Sequence, residues 1–545
     1  MATAGSNWRA AACAVVWLAG AAPVSAEPQP APVSAEPPAA PASNSAAAAA
    51  PSPAGGDSPV DGCANGSADE AFLARLADSY RSHLAWNGGD PNAPPTLVVG
   101  GGEVPESNPP FPYSTWNIGG SAAIGVENQY SNALMDALYC GQGGQRLKDS
   151  RFTVYGWVQP GFNVSTSHTR FNYATGTGGN YPAAYSFEPN TLQLDQVALY
   201  FERTPDEVQR ERIDWGFRVA GIYGTDYKYT FSNGVFSNQY TDSAKQNGFD
   251  PVMYYLDFWL PRLGGLGSNL RIGRYISVPD IEAQLAPNNI TYSHSLLYTY
   301  DPYTQHGMVL TTKLNRNWQV QTEISAGNDV APWDKNERHL TPALCVIWTS
   351  NSGKDNVYPC MNGLNDGNWR WNNIQHAVVT WYHKINARWH TDTEVWYMWE
   401  SHAPNVANDT GPGGSDLGTQ IIAQRYSYLN YGAPSGAICG QTLVYCYSYA
   451  WAALNYLNYQ VGPRDILTWR TDYLNDARGQ RTGFKTRYYE FTAGYTHWIG
   501  DAIELRPELR YEHARDVDAY DNPTAVAGMG RNSQVTFAAD AIFHF

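Results

Sequence analysis

Beyond its first 26 residues, the sequence has no stretch of roughly 18 consecutive apolar residues, the length that a membrane-spanning helix needs. Basic residues are also scarce: 35 Lys and Arg stand against 50 Asp and Glu, which gives a net charge of −15. Because no basic stripe could neutralise a phosphate backbone, we exclude a nucleic-acid partner. A chain without apolar helices can still cross a membrane as a closed barrel of alternating strands.

Motifs for catalysis and metal binding are missing as well. The chain has no GxSxG, HExxH, phosphate-loop or Rossmann fingerprint in a usable context, and GGQRLK (143–148) lacks the Gly-Lys-Ser/Thr ending of a phosphate loop. No CxxC or HxxxH cluster offers zinc ligands. We therefore predict no enzyme activity, no cofactor and no metal. A hydrolase site assembled across barrel strands, which would leave no local motif, is the less favoured alternative.

The N-terminus has the three parts of a secretory signal peptide (1–26). Arg9 precedes an apolar stretch, and Val24-Ser25-Ala26 provides small residues for cleavage. Residues 27–60 are rich in Pro, Ala and Ser, which predicts a disordered, extended periplasmic linker. Residues 61–150 follow as a periplasmic N-terminal segment. Within it, apolar residues at helical spacing predict one short amphipathic helix near 69–86.

From Arg151 onward the apolar period changes from 3.6 to 2. In 502–513, for example, Ile503, Leu505, Leu509 and Tyr511 alternate with a charged row. We predict about 14 strands, with 12 to 16 tolerated. They lie near 151–165, 191–203, 212–224, 252–260, 268–277, 306–314, 317–327, 374–383, 387–399, 446–459, 465–475, 486–498, 502–513 and 533–545. The ragged alternation of the second predicts a β-bulge.

The connections between these strands alternate in length. Those at 204–211, 261–267, 315–316, 384–386, 460–464 and 499–501 are short, whereas those at 166–190, 225–251, 278–305, 328–373, 400–445, 476–485 and 514–532 are longer. This asymmetry is typical of outer-membrane barrels with both termini periplasmic, and a β-sandwich has no reason to keep it. We therefore predict an all-β fold: a closed antiparallel transmembrane barrel over 151–545, in the outer membrane of a Gram-negative-type bacterium.

Three further features agree with export to that membrane. The chain has 37 Tyr and 19 Trp, amphipathic residues that collect where a barrel meets lipid headgroups. The last strand alternates and ends in an aromatic residue, with Phe543 and Phe545 on one face, which resembles the signal read by the barrel assembly machinery. Six cysteines remain after the signal peptide, an even number that suggests disulfides. Their spacing favours Cys345–Cys360 and Cys439–Cys446 as extracellular clips, and leaves Cys63 with Cys140.

Charged residues fill the polar faces of the predicted strands. They are Asp214, Arg218, Asp226, Arg271, Glu323, Arg388, Asp392, Glu394, Arg470, Asp472, Glu504, Arg506, Glu508, Arg510 and Glu512. These side chains could pair across strands and stabilise the wall, or line an aqueous path and set its selectivity. Both roles stay open, but rows of charge facing lipid would be very costly, so we place them inside the barrel.

Four stretches resemble the β-barrel porins of the OmpL-like kind: PPFPYSTWNIGGSAAIG (109–125), RFTVYGWVQPGFNVSTSH (151–168), DWGFRVAGIYGTD (214–226) and LTWRTDYLNDARGQRTG (467–483). The likeness covers about residues 105–545. It implies porin-type transport without naming a cargo, and it does not extend to the linker or the cysteines.

The third long loop carries Asp280, Glu282 and Asp301 and no Lys or Arg. In general porins this loop folds inward, and its acids face basic residues of the wall. The resemblance therefore implies that these acids oppose wall arginines such as Arg218, Arg271, Arg388 and Arg470. Alternatively, the loop packs over the mouth like its neighbours.

We predict a porin-like channel for passive diffusion of small hydrophilic solutes or ions, open but narrow unless a loop or the N-terminal segment fills it. Its other partners would be outer-membrane lipid and the assembly machinery, and its oligomeric state stays open. The alternative is a structural or adhesive barrel that acts through its extracellular loops.

Overall fold

The computed structural model describes residues 71–85, 124, 132–172, 178–183, 185–230, 232–241, 245–276, 280–370, 372–405, 407, 436–462, 464–523 and 529–545. The predicted signal peptide, the linker and Cys63 lie outside these residues, so those predictions and the Cys63–Cys140 pair remain untested.

Three helices precede the barrel in the described part of the chain. Helix α1 (Phe72–Ala85) is the predicted amphipathic helix. Helix α2 (Ala133–Tyr139) begins at Asn132, whose side chain accepts a hydrogen bond from the backbone N–H of Met135, and α3 (Gly144–Ser150) leads into the first strand. None of the helices described is long and apolar enough to cross a membrane.

Sixteen antiparallel strands form a closed barrel. They are β1 (Phe152–Ser165), β2 (Thr191–Arg203), β3 (Asp214–Gly224), β4 (Gly248–Leu260), β5 (Ser268–Ile276), β6 (Thr304–Lys313), β7 (Trp318–Asn328), β8 (Thr341–Thr349), β9 (Asp355–Asn362), β10 (Gln375–Lys384), β11 (Trp389–Pro404), β12 (Tyr445–Gly462), β13 (Asp465–Asp476), β14 (Thr486–Ile499), β15 (Ile503–Ala514) and β16 (Ser533–His544). Short helical turns α4 (Tyr227–Thr230), α5 (Asn238–Thr241) and α6 (Leu296–Thr299) lie between strands. Strand β16 pairs with β1, from Trp157 opposite His544 to Ser165 opposite Thr536, and this pairing closes the barrel. The predicted fold class is confirmed, with two strands more than the central expectation of 14.

The two additional strands, β8 and β9, lie inside the segment 328–373 that we predicted as one long loop. The inner face of β8 carries Ala343, Cys345 and Ile347, so its two faces lack the polar–apolar contrast that marks a strand. Strand β9 contains Pro359 on its outward face. Cys345 pairs with Cys360 across these strands, with a Cα–Cα distance of 4.1 Å. The predicted disulfide is confirmed, but its placement in an extracellular loop is wrong.

The fifteen connections still alternate around the barrel. Seven mostly short ones, such as 314–317 and 500–502, lie at the end where β1 begins and β16 ends. Eight mostly longer ones, from 166–190 to 515–532, lie at the opposite end. We call these the short-turn end and the long-loop end. The second predicted disulfide, Cys439–Cys446, is confirmed at the base of the long connection 405–444.

The wall has an apolar outside and a polar inside. Outward-facing Leu199, Leu509 and Phe537 are 44 to 55% exposed, whereas their inward neighbours Arg510 and Glu512 are at most 2% exposed. This arrangement reverses that of a soluble sheet and suits a wall surrounded by lipid. Outward aromatic pairs occur near both ends, as in Trp389–Tyr459 at the short-turn end (centroids 4.6 Å apart) and Tyr473–Tyr489 near the long-loop end (5.2 Å).

Strand β2 contains the predicted bulge. Gln159 of β1 pairs with Gln196 and Pro160 pairs with Leu194, so Asp195 has no partner in the ladder. The extra residue moves Leu192 and Leu199 onto the same outward face, although seven positions separate them.

Candidate pore constriction

The connection between β5 and β6 folds into the barrel. We call it loop L3 (277–303), of which residues 280–303 are described, and all of those except Ala283 are buried. The loop leaves β5, contacts the wall from β11 to β15 and returns to β6. Those strands lie across the barrel from β5 and β6 in the closed order. Loop L3 therefore crosses the lumen and does not pack over the mouth.

Wall carboxylates bind the backbone N–H groups of this loop. Glu394 of β11 accepts from Ile281 (2.9 Å), and Asp472 of β13 accepts from Leu296 (2.6 Å). Glu508 of β15 accepts from Ser293 (3.1 Å). An irregular segment inside a barrel has few backbone partners of its own, and these acids satisfy its buried donors.

Wall arginines bind the backbone carbonyls of the same loop. Arg506 donates to Ala286 and Asn289 (2.7 Å each), and Arg510 donates to His294 (2.7 Å). Hydrogen bonds that involve a charged group are roughly twice as strong as neutral ones. Much of the predicted charge row thus holds the loop in place.

Arg470 is the centre of this network. Its guanidinium lies 2.8 Å from Glu490 and 3.4 Å from Glu282, and it is 1% exposed. It also donates to the Thr291 hydroxyl (2.9 Å) and to the backbone carbonyl of Ser293. One of the predicted contacts between a loop acid and a wall arginine, Glu282 with Arg470, is therefore present.

The other two loop acids have a different neighbour. Asp280 and Asp301 lie beside Glu394, with one oxygen of each of the three within 4.8 Å of the others. They do not face Arg218 or Arg271. Those arginines belong to the opposite wall, where they pair with other strand residues.

On that opposite wall the charges pair across strands. Arg218 binds Glu202, and Arg271 lies 2.9 Å from Asp257. The guanidinium of Arg271 also stacks on the Tyr255 ring, 4.1 Å from its centroid. These contacts neutralise both cations locally, without help from loop L3.

Arg388 is the one predicted lining residue that does not face the lumen. Strand β11 begins at Trp389, so Arg388 lies in an exposed turn and donates to the Tyr459 hydroxyl (3.3 Å). Its assignment to the pore is wrong, because we began the strand two residues too early.

The remaining predicted residues lie on the barrel interior and are buried: Asp214, Asp226, Glu323, Asp392, Glu504 and Glu512. Asp214 pairs with Arg203 (3.1 Å), and Asp226 accepts from Gln196 (2.9 Å). Whether these groups line a conducting path stays a prediction.

Among the charged interior residues that escaped the sequence analysis, three belong to the network around loop L3. Glu490 bridges Arg470 and Arg510 from β14 (2.8 and 3.1 Å), and Asp540 of β16 binds Arg506 (3.0 Å). The third, Arg481, lies in the connection 477–485 and donates to the Tyr300 carbonyl (2.7 Å). Strict alternation within the last strand could have found Asp540, because Phe537 and Phe543 face outward.

At the short-turn end, helix α1 is attached to the barrel through His83. Its ring nitrogens lie 2.7 Å from Asp501, in the turn between β14 and β15, and 2.9 Å from Asp136 of α2. Burial alone would lower the pKa of His83, but the hydrogen bonds to Asp136 and Asp501 and their charges outweigh it and raise this pKa to about 9. The imidazole is therefore charged at neutral pH and joins two acids.

A family model described as "Putative beta-barrel porin-2, OmpL-like" matches residues 151–545. The chain belongs to this porin family. A search of curated proteins finds no significant match. Among solved structures, the porin barrel is similar to the anion-selective porin from Comamonas acidovorans (9% identity, 72% of this chain and 99% of that chain covered, TM-score 0.43). It is also similar to the outer membrane channel DcaP of Acinetobacter baumannii (10% identity, 72% and 97% covered, TM-score 0.41).

Proposed function

We propose that this porin lets small hydrophilic solutes and ions diffuse across the outer membrane, and that loop L3 sets the width of their path. The observation that carries the proposal is the course of the loop through the lumen, anchored to the wall by Arg470, Arg506 and Arg510. Side chains that fix a loop inside a pore also determine the open cross-section of the pore and the charges that line it. In this proposal both termini and the short-turn end are periplasmic.

The expected selectivity is a weak preference for cations. The described part of loop L3 contributes Asp280, Glu282 and Asp301 and no Lys or Arg. Arg470 compensates Glu282, so the excess negative charge belongs to Asp280, Asp301 and neighbouring Glu394. Acidic groups at a constriction favour cations. The preference stays weak because salt of about 0.1 M screens charges beyond about 10 Å.

Reversal potentials under a salt gradient test this proposal in a planar bilayer. The wild-type porin should give stable single-channel steps and a weak cation preference. The triple variant D280N/E282Q/D301N should lose that preference. An anion-selective wild type, or a triple variant with unchanged selectivity, would remove the loop acids from the mechanism.

A structural or adhesive role is the second candidate. The Cys439–Cys446 disulfide favours it, because it crosslinks the described base of the long connection 405–444. A bilayer that stays silent with correctly folded protein would support this candidate over the channel.

The N-terminal segment would narrow the short-turn mouth. Besides the His83 contacts at the β14–β15 turn, the carbonyl of Ile124 accepts from Lys313 at the end of β6 (3.0 Å), and Ile124 packs on Trp259 of β4. These two attachment points lie on nearly opposite sides of the barrel. Residues before the barrel therefore contact both sides of this opening, which supports an obstructing position.

A further inference from the structure

Three carboxylates meet where loop L3 touches strand β11. Asp280 and Asp301 come from the two ends of the described loop and Glu394 comes from the wall. They are 4, 1 and 0% exposed. Because these positions are far apart in sequence, only the inward course of the loop brings them together.

No ion pair in the described part of the chain neutralises this cluster. Both carboxylate oxygens of Asp301, Oδ1 of Asp280 and Oε1 of Glu394 are fully buried and have no hydrogen-bond partner there. None of the ion pairs formed by the described residues includes these acids. The positive charge of Arg481 reaches Asp301, but its guanidinium donates to the Tyr300 carbonyl and forms no ion pair with these acids. A buried carboxylate without a partner is costly, so the cluster needs protons or a cation.

A buried tyrosine lies beside these acids. The Tyr298 residue is 1% exposed, and its hydroxyl lies close enough to Asp280 and Asp301 to interact with their charges. Several other buried acids of the lumen are matched by arginines, as Glu490 is by Arg470 and Arg510. In the cluster, by contrast, three carboxylates lie together and no basic side chain among the described residues forms an ion pair with them.

We propose that Asp280, Asp301 and Glu394 bind one hard divalent cation, with Ca²⁺ preferred over Mg²⁺. All the donors are oxygens, which hard cations prefer, whereas zinc would want nitrogen or sulfur. The ligand oxygens of the three acids all lie within 4.8 Å of one another, close enough to share one ion. Ca²⁺ accepts six to eight oxygen ligands in a flexible geometry, whereas Mg²⁺ usually keeps several waters and binds only one or two carboxylates.

The ion would tie both ends of loop L3 to the wall. Asp280 lies just after the β5 side of the loop and Asp301 just before β6, so one cation would fix the loop at its base on β11. This consequence for the pore rests on the proposed function. The binding itself does not.

Equilibrium dialysis of the purified full-length protein against CaCl₂ in detergent, after removal of divalent ions with EDTA, tests the site. We expect one Ca²⁺ per barrel, with Mg²⁺ competing about tenfold more weakly. The variants D301N and E394Q should each lower the Ca²⁺ affinity by about tenfold or more. The matched control is E323Q, because Glu323 is another buried interior acid whose oxygens lack hydrogen-bond partners, and it lies outside the cluster. E323Q should bind Ca²⁺ like the wild type.

A wild-type protein that binds no Ca²⁺ would overturn the proposal and would mean that the acids share protons. Equal binding by the wild type, D301N and E394Q would overturn it too. The heat-dependent shift of a folded barrel on a gel identifies variants that assemble, and the wild-type stoichiometry needs no variant at all. Ca²⁺ binding by a porin that never conducts would contradict the proposed function and leave this site standing.

Discussion

Replacing Arg470 with Gln should release loop L3 from the wall. The substitution removes the contacts of the guanidinium with Glu282, Thr291 and Ser293, and it leaves Glu282 buried without its cation. Glu490 keeps a second partner, Arg510, at 3.1 Å. Removing one member of a buried ion pair costs about 3–5 kcal/mol, because an uncompensated charge remains.

We expect most of this cost to fall on the loop and little on the wall. Strand β13 keeps its backbone ladders to β12 and β14, which run from Asp465 to Asp476 without depending on the side chain of Arg470. A cost of about 3–5 kcal/mol corresponds to a change of about 10²- to almost 10⁴-fold in the equilibrium between the attached and the released loop. Arg506 and Arg510 still hold the loop, so release should be transient.

Single-channel recording shows this directly as frequent steps to a higher conductance that the wild type rarely visits. The matched control is R388Q, which makes the same chemical change in an exposed turn and should conduct like the wild type. If folded R470Q gave the wild-type conductance and the same gating, then Arg470 would not anchor the constriction, and the reasoning from its contacts would be refuted.

Three further predictions concern other parts of the chain. The charged His83 stabilises the attachment of helix α1 to the barrel by about 3 kcal/mol at pH 6, because the pKa of His83 is about 9 in the folded protein and 6.5 in an unfolded chain. That stability is complete below pH 6.5 and is lost as the pH rises through about 9. Hydrogen exchange of the backbone amides in 72–85, corrected for the intrinsic rate, should therefore accelerate over that range in the wild type. The variant H83A should exchange fast at every pH. The variant C345S/C360S should assemble, but its free energy of unfolding should be lower by about 3 kcal/mol, the value expected for a disulfide that closes a loop of 15 residues. Denaturant titration measures this difference, and equal stability of variant and wild type would contradict the prediction. Deleting residues 27–104 removes α1 and should leave an assembled barrel with equal or higher conductance, whereas failure to assemble would show that the segment is structural.

The sequence predicted the wall well wherever the two faces of a strand differ in polarity. In β15, Leu505 and Leu509 face outward while Arg506 and Arg510 face inward, so alternation alone located the strand. In β8, the inward residues Ala343 and Ile347 are as apolar as the outward Leu344. The alternation of polar and apolar residues cannot reveal such a strand. Its inward side chains Cys345 and Ile347 pack in an apolar cluster inside the barrel and are as apolar as the outward ones.

The contacts of the candidate site were less predictable than its location. Alternation placed Arg470 and Glu508 on the interior of the barrel. Loop L3 was identified as a candidate constriction because it carries three acids and no Lys or Arg. Which acid meets which arginine depends on how the loop crosses the lumen, and no local pattern encodes that path. Glu490 was missed because Tyr488 beside it on the inner face blurs the contrast.

The contacts of loop L3 also change how the charges of the chain relate to selectivity. A net charge of −15 suggests a strongly cation-attracting lumen. Inside the barrel, however, Arg506 is matched by Asp540 and Arg510 by Glu512, and both arginines also bind loop carbonyls. The opposite charges of each buried ion pair largely cancel, so the pair exerts little net electrostatic field on an ion that passes through the pore. Selectivity should therefore depend on the three acids beside the loop, which stay net negative even with one divalent cation bound. Substitutions of paired residues should change the gating of the loop more than the ion preference of the pore.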